Sequence, residues 1–560
     1  MPPFASTSAL RNLRSRSLPI LATSVSLFAA HTYLSQPIHN DSEDSQIDSL
    51  ATSLKKQKIA ISAALSPYTP LGWGSNKNLT LNPDSSVATL KRPTPLPQLG
   101  STPLRDLIVH EKYGACLDAR GDIWMWGAGY DPSGAVGKSL RGKKLKTLAP
   151  GPSKLFALGK DGRLYVVPTD KKLQVTRHDK QELGWWSWMF GTDAGVDFVE
   201  LQAEGGLKRG EKWTAISAGK NHLLATTSSG RTFSLPLSPQ GNSHRQLGTR
   251  QTFDTATPST STIDPASDPR FCTTLSLIPS LSSISISSVS TSANTSFVLT
   301  PAGRVLGFGA NESGQIGLGL LTAVETVATP VEVVLARGYP GGTHVKCLDV
   351  KAGGSTTFFV VERSNPGKDD RFIDLLACGS GSSGALGNGL WSSANGSPSK
   401  VKTVSGLQEF SEKANQFLPL DIHTVSVSPS PNAHVYAVLD TVSQADEAGV
   451  LAGRYGKDVM VWGGNAEFQL GNGKRSSLAI PQHLPPLIPK AIDALSTLPS
   501  SESSLSSGTS SPMPHSRLQL HQSKTNAYDL EGKLIKRNVK VEETVVAGWN
   551  ASVLYNKIID

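Results

Sequence analysis

The chain has 560 residues, a net charge of +9, 52 glycines, 36 prolines and only 18% charged residues. That composition suits many short strands joined by turns and argues against a helical protein; the positive excess is too dilute to mark a nucleic-acid binder. Cys116, Cys272, Cys347 and Cys378 stand far apart with no CxxC pair, which points away from a disulfide framework or a thiolate metal site.

The first forty residues differ from the rest. Arg11, Arg14 and Arg16 are the only charged side chains before Asp41, and Ser, Thr and Ala fill the spaces between them. Such a start resembles a mitochondrial presequence. Residues 18–34 follow without a formal charge, at 17 residues the short limit for a membrane span. Three readings fit. A secretory signal has the same basic-then-apolar order, although the lack of paired cysteines argues against it. A matrix presequence with no span is the second. The third, taken forward, is a presequence over 1–17 and a single inner-membrane anchor over 18–34. Its basic side stays in the matrix, and the bulk of the chain lies in the intermembrane space. Residues 35–69 form a polar linker.

From residue 70 onward short strand-like runs recur. Residues 71–76 read as a lone strand ending in an aromatic-Gly pair, followed by a Pro-rich connector. The second unit runs through residues 107–117, a turn at Gly121, the strand 122–127 and a Gly-rich exit to Gly137. A basic loop, 138–146, carries Arg141, Lys143 and Lys144. The third unit, 154–168, lacks the exit and leads into an insertion holding Trp185, Trp186 and Trp188. The fourth, 213–235, has a degraded exit at 246–248. The fifth holds the clearest stretch, residues 303–319, with Gly303, Gly309, Gly314 and Gly317. The sixth and seventh are interrupted by polar segments, and residues 496–511 are Ser-dominated.

The exits align without a gap. Residues 308–319 match 462–473, with Gly463 and Gly471 in register, and both match 378–389. Each begins with an aromatic or a thiol, then Gly. The last repeat-like run, 539–556, is only the upstream half of a unit, whereas residues 71–76 are a downstream half. Joining the two closes a ring and removes exposed sheet edges. The expected fold is therefore an all-β propeller of about seven blades over 70–557, one blade shared by both termini. Insertions are expected near 171–212, 249–283, 362–371, 440–457 and 488–537.

The repeat resembles that of the regulator of chromosome condensation family: Gly219 and His222 with Gly230-Arg231, then Gly303-Arg304, Asn311, Gly314-Gln315 and Gly317. Together with the N-terminus, the resemblance is to the fungal mitochondrial members. It implies an inner-membrane-anchored protein acting in assembly of respiratory complex III (cytochrome bc1), with complex III subunits or other assembly factors as partners.

The repeat glycines read as backbone requirements and His222 as a structural residue making a turn hydrogen bond. No HxxxH, HExxH, G-x-S-x-G or Walker pattern appears, so no metal, cofactor or catalytic residue is expected. Arg141, Lys143 and Lys144 suit a phosphate or an anionic surface, against the plainer reading of a solvated loop. The Trp185–Trp186–Trp188 cluster lies off the repeat and suits a partner surface, or burial within its own insertion. The expected function is a non-catalytic assembly scaffold. A guanine-nucleotide exchange factor for a small GTPase and a secreted or luminal binding propeller are the alternatives.

Overall fold

The computed structural model describes residues 66–174, 196–249, 264–319, 324–365, 367, 370–392, 394–411, 413–441, 456–487 and 517–559. They form seven blades, each built outward from an inner strand and antiparallel but for Gln202–Ala203, which runs parallel to Thr274–Leu277 at the edge of blade IV. Blade I is composite. Its inner pair, Leu534–Ala547 and Ala551–Ile558, comes from the C-terminal end, and its outer pair, Leu71–Ser75 and Thr89–Pro95, from the other end of the propeller. Leu71 pairs with Leu554 and Gly74 with Ala551, so backbone hydrogen bonds close the ring.

Blades II to VII follow in chain order, with inner strands Asp106–Val109, Leu145–Pro150, Trp213–Ala218, Ser288–Thr291, His344–Gly353 and Ile422–Val427. Neighbouring inner strands touch all round the ring, the last returning to Leu534–Ala547. Side chains link them. The Ser217 hydroxyl accepts from the Thr291 N–H at 3.0 Å, Ser290 from Ala352 at 3.2 Å and Ser426 from Ala547 at 2.9 Å.

The two middle strands of each blade carry the core because both their faces are covered by adjacent blades. Thr295–Leu299 and Val305–Ala310 are buried at every residue, as are His434–Leu439 and Lys457–Gly463. Such strands read as continuous apolar runs rather than alternating ones. Outer strands meet solvent and are polar, as in Asn395–Lys400.

Several stretches read as insertions contain sheet. Val199–Glu200 and Thr274–Leu277 are the outer strands of blades III and IV. Residues 362–371 are not a break: Thr356–Ser364 and Arg371–Gly379 pair from Thr356↔Gly379 to Ser364↔Arg371. Within 488–537, Gln519–Leu520 pairs with the third strand of blade VII and Gln522–Tyr528 with Leu534–Ala547. Polar composition hid these strands, because an outer strand buries little and shows no strong hydrophobic period. Among the described residues no helix is long and apolar enough to cross a membrane. The presequence and anchor read over 1–34 lie outside them.

Candidate interaction surfaces

The recurring motif is devoted to joining blades. In the exit of blade VII, Asn465 is fully buried; its Oδ1 accepts from the Leu470 N–H at 3.0 Å, and its Nδ2 donates to the Lys474 and Ser476 carbonyls. Asn311 holds Ile316 and Asn76 holds Leu81 in the same way, each at 3.0 Å. Blade IV, whose exit looked degraded, keeps the arrangement with Asn242 accepting from Leu247 at 3.2 Å. A shifted spacing upstream of Gln246 concealed it.

In four blades the aromatic-or-thiol position bonds a backbone carbonyl across the seam, whereas Phe308 of blade V is buried in the apolar core. Trp73 Nε1 reaches the Gln469 carbonyl of the preceding blade at 3.0 Å, Trp126 reaches Thr80 at 2.8 Å and Trp462 reaches Ala385 at 2.7 Å. In blade VI the Cys378 thiol donates to the Gln315 carbonyl at 3.3 Å. This thiol is buried, and burial holds it protonated by raising its pKa.

His222 does not bond its own turn. Its Nε2 meets the Ser296 hydroxyl of the next blade at 2.8 Å, and Ser296 donates onward to the Gln246 carbonyl at 2.7 Å. His434, Ser552 and the Gln469 carbonyl repeat this relay at the closing seam, with 2.8 and 2.7 Å bonds. Because each serine donates to a carbonyl, it accepts from the imidazole, which fixes the neutral Nε2–H tautomer. Burial lowers both histidines to about 3. Gly219 is needed beside His222 for space: a Cβ there would lie 2.5 Å from the ring. Gly303, Gly309, Gly314, Gly317, Gly463 and Gly471 all hold positive φ, between 72° and 102°.

In blade III the His222 position is taken by Lys154, which the sequence reading passed over. It is buried, with Nζ donating to the Leu237 and Pro265 carbonyls at 3.0 and 3.1 Å. Burial lowers it to about 8. Aligning strand starts by register would have singled it out.

Of the predicted surface residues, Arg141 and Lys144 are exposed on the loop between blades II and III. Lys143 instead lies over the Phe198 ring, 4.6 Å from its centroid. Trp185, Trp186 and Trp188 lie outside the described residues. The strand before them, Leu164–Pro168, ends opposite Lys154, whereas Leu145 lies opposite Gly159. Residues 169–174 therefore leave the blade at the opposite end from the basic loop.

The exposed apolar side chains lie elsewhere. In the blade VI exit, Leu390 is 62% and Trp391 58% exposed, and Ile480 on the outer strand of blade VII is 51% exposed. The Gly389 N–H donates to the Ala479 carbonyl at 2.9 Å and so brings the three together. A second site is the small hairpin of Gln408–Ser411 and Gln416–Pro419 between the same blades, where exposed Phe410 and Phe417 stack edge-on at 5.4 Å. Large aromatics exposed in pairs are what partner surfaces use. A solitary Trp in a Gly/Ser-rich exit gives no periodic signal, so only its exposure reveals it.

Among the described residues no three His, Cys, Asp or Glu side chains are grouped to hold a metal ion. A cleft between the outer edges of blades IV and V is lined by Glu204, Thr249, Ser276, Ser280 and Thr329, with one carboxylate and no base beside it.

The Regulator of chromosome condensation (RCC1) repeat matches residues 302–360, from the turn before the third strand of blade V into the second strand of blade VI. No curated protein matches the sequence. Among solved structures the chain is similar to human WBSCR16, at 13% identity and a TM-score of 0.53, over 88% of this chain and 99% of that one. It is also similar to Prp20p from Saccharomyces cerevisiae, described with its binding to Gsp1p and histones, at 15% identity and a TM-score of 0.52, over 89% and 93%. Yeast RCC1 (Prp20) bound to Kap60 gives 15% identity and 0.51, over 88% and 90%. At such identities the likeness is one of fold. The repeat and the seven-bladed ring are RCC1-like.

Proposed function

We propose that this chain is a non-catalytic binding propeller that holds unassembled subunits of respiratory complex III. In this reading an N-terminal segment tethers it to the mitochondrial inner membrane, with the ring in the intermembrane space. The observation that carries the binding role is the patch of Leu390, Trp391 and Ile480, three large apolar side chains each more than half exposed at one rim. Burying a side chain of this kind contributes about 1.5–3 kcal/mol, so the patch is a sizeable anchor for a partner and a liability without one. The blades are locked to one another by buried polar relays, which suits a rigid platform. The compartment and the complex III partners come from the resemblance of the repeats and N-terminus to the fungal mitochondrial proteins.

Deleting the protein should lower complex III on native gels while leaving mitochondrial translation intact; normal complex III would overturn the assembly role. Carbonate extraction should leave the chain with the membranes, and release into the supernatant would overturn the tether. The exchange-factor alternative draws on the fold shared with Prp20p. Stimulated nucleotide release from a purified GTPase would favour that alternative.

A further inference from the structure

Residues 522–541 form a hairpin that runs past the end of blade I. Val541 is the last residue of its strand to pair with the blade, opposite Ile558; from Leu534 to Glu542 the strand pairs with Gln522–Tyr528. Its inner side is apolar: Ala527, Val539 and Val541 cluster with Ala119 of blade II, Ile558 and Tyr68. Its tip is fixed to blade II. Thr102 exchanges two hydrogen bonds with the Tyr528 backbone at 3.0 and 3.1 Å, Arg120 pairs with Asp529 at 2.5 Å and Lys138 with Glu531 at 3.2 Å. Asp529 and Glu531 at the tip are thus neutralised by blade II, and Glu542 at the base pairs with Lys457 of blade VII at 2.6 Å.

On the solvent side Lys524, Lys533, Lys536, Arg537 and Lys540 are all exposed. Lys524 and Lys540 stand directly opposite each other in the ladder. Like charges so placed destabilise a sheet, and a local arrangement that costs stability is a mark of a functional site. A second basic element belongs to the same corner. The Gly142 N–H donates to Asp122 at 2.8 Å, and Asp122 pairs with Lys138, the partner of Glu531, at 3.2 Å. The exposed Arg141 and Lys144 therefore flank the hairpin tip. Residues 66–70 join the propeller at the hairpin's base, where Tyr68 packs beneath it and the Pro67 carbonyl accepts from Asn556 at 3.2 Å.

We infer that the hairpin 522–541, with Arg141 and Lys144 beside it, is a foot that docks the ring on an anionic lipid surface. Lysine and arginine attract headgroup phosphates without needing a shaped pocket, and the hairpin offers a flat ladder rather than a groove. The choice of a bilayer over nucleic acid rests on the tether proposed above, because residues 66–70, which follow the N-terminal segment in sequence, lie at this corner. The two can fail separately. Attachment to neutral vesicles reports the N-terminal run; the increment on anionic vesicles reports the foot.

The test is flotation of the full chain with vesicles of phosphatidylcholine alone and of equal parts phosphatidylcholine and phosphatidylglycerol. Wild type should prefer the anionic vesicles, with the preference abolished by high salt. Each basic residue near such a surface is worth about fivefold in partitioning, so Lys524→Gln with Lys540→Gln should cut the increment at least about tenfold. Relieving the like-charge pair leaves the fold intact, which the urea midpoint checks. Equal flotation on both vesicle types, an increment unchanged in the variant, or salt-sensitive capture of a duplex oligonucleotide with indifference to lipid would each overturn the inference.

Discussion

Acid should loosen the propeller at its histidine relays before it reaches the carboxylates. His222 and His434 are buried as neutral rings, lowered to about 3 from an ordinary 6.5. Their Nδ1 atoms have no hydrogen-bond partner, so a protonated ring would bury an unpaired cationic N–H. The sign follows from which state binds the proton. Below pH 6.5 the unfolded chain takes up a proton at each site that the folded chain refuses until about 3, so stability is full above 6.5 and falls as pH drops through that window. The slope is about 1.4 kcal/mol per pH unit for each ring, or about 4 kcal/mol for the pair between pH 6.5 and about pH 5. His110, lowered to about 4 by burial and then by Lys112, adds in the same sense. Urea midpoints measured across this range should fall steeply for wild type. His222→Gln and His434→Gln keep a side-chain donor near Ser296 and Ser552 and remove the titration, so each should flatten the fall by about half of the pair's share. Parallel pH curves for wild type and both variants would refute the assignment.

Three further outcomes test the architecture and the surface. Asn465→Ala removes the acceptor for Leu470 and the donor to two carbonyls in a fully buried loop, and should cost about 3 kcal/mol in chemical unfolding. Gly309→Ala places a Cβ 2.5 Å from the Asn294 carbonyl at a φ of 102° and should cost about 3 kcal/mol or more, whereas Gly205→Ala, at φ 70° with open space around it, should cost about 1 kcal/mol. Trp391→Ala, at an exposed position, should leave the thermal midpoint within about 2 °C yet abolish crosslinking to complex III subunits; undiminished crosslinking would remove the patch from the binding surface.

The ring was legible because its signal is local. Phe308-Gly309 and Trp462-Gly463 recur since five of the blades leave their third strand through a glycine at a φ of 96–107° (Gly74, Gly127, Gly309, Gly379 and Gly463), and the half-units at 71–76 and 539–556 called for closure. The relay partners were not legible. Trp73 and Gln469 are 396 residues apart, and His222 and Ser296 are 74 apart; no spacing rule within one repeat points across the seam. The cation at residue 154 shows the same limit. In sequence it is an ordinary lysine, and only strand register puts it where two other blades hold histidine.

Sequence alone determined the number of blades, the glycines and the shared closing blade, because a repeating backbone demands the same residue types at each turn. Tertiary structure decided which side chains remain outside. Trp391 and Trp462 are equally apolar, but one follows an exit into solvent and the other ends a strand covered by the neighbouring blade. The hairpin 522–541 became a surface of one charge only because blade II neutralises Asp529 and Glu531. Exposure and net local charge are sums over neighbours that the chain brings together by folding, and they are where this propeller's function is written.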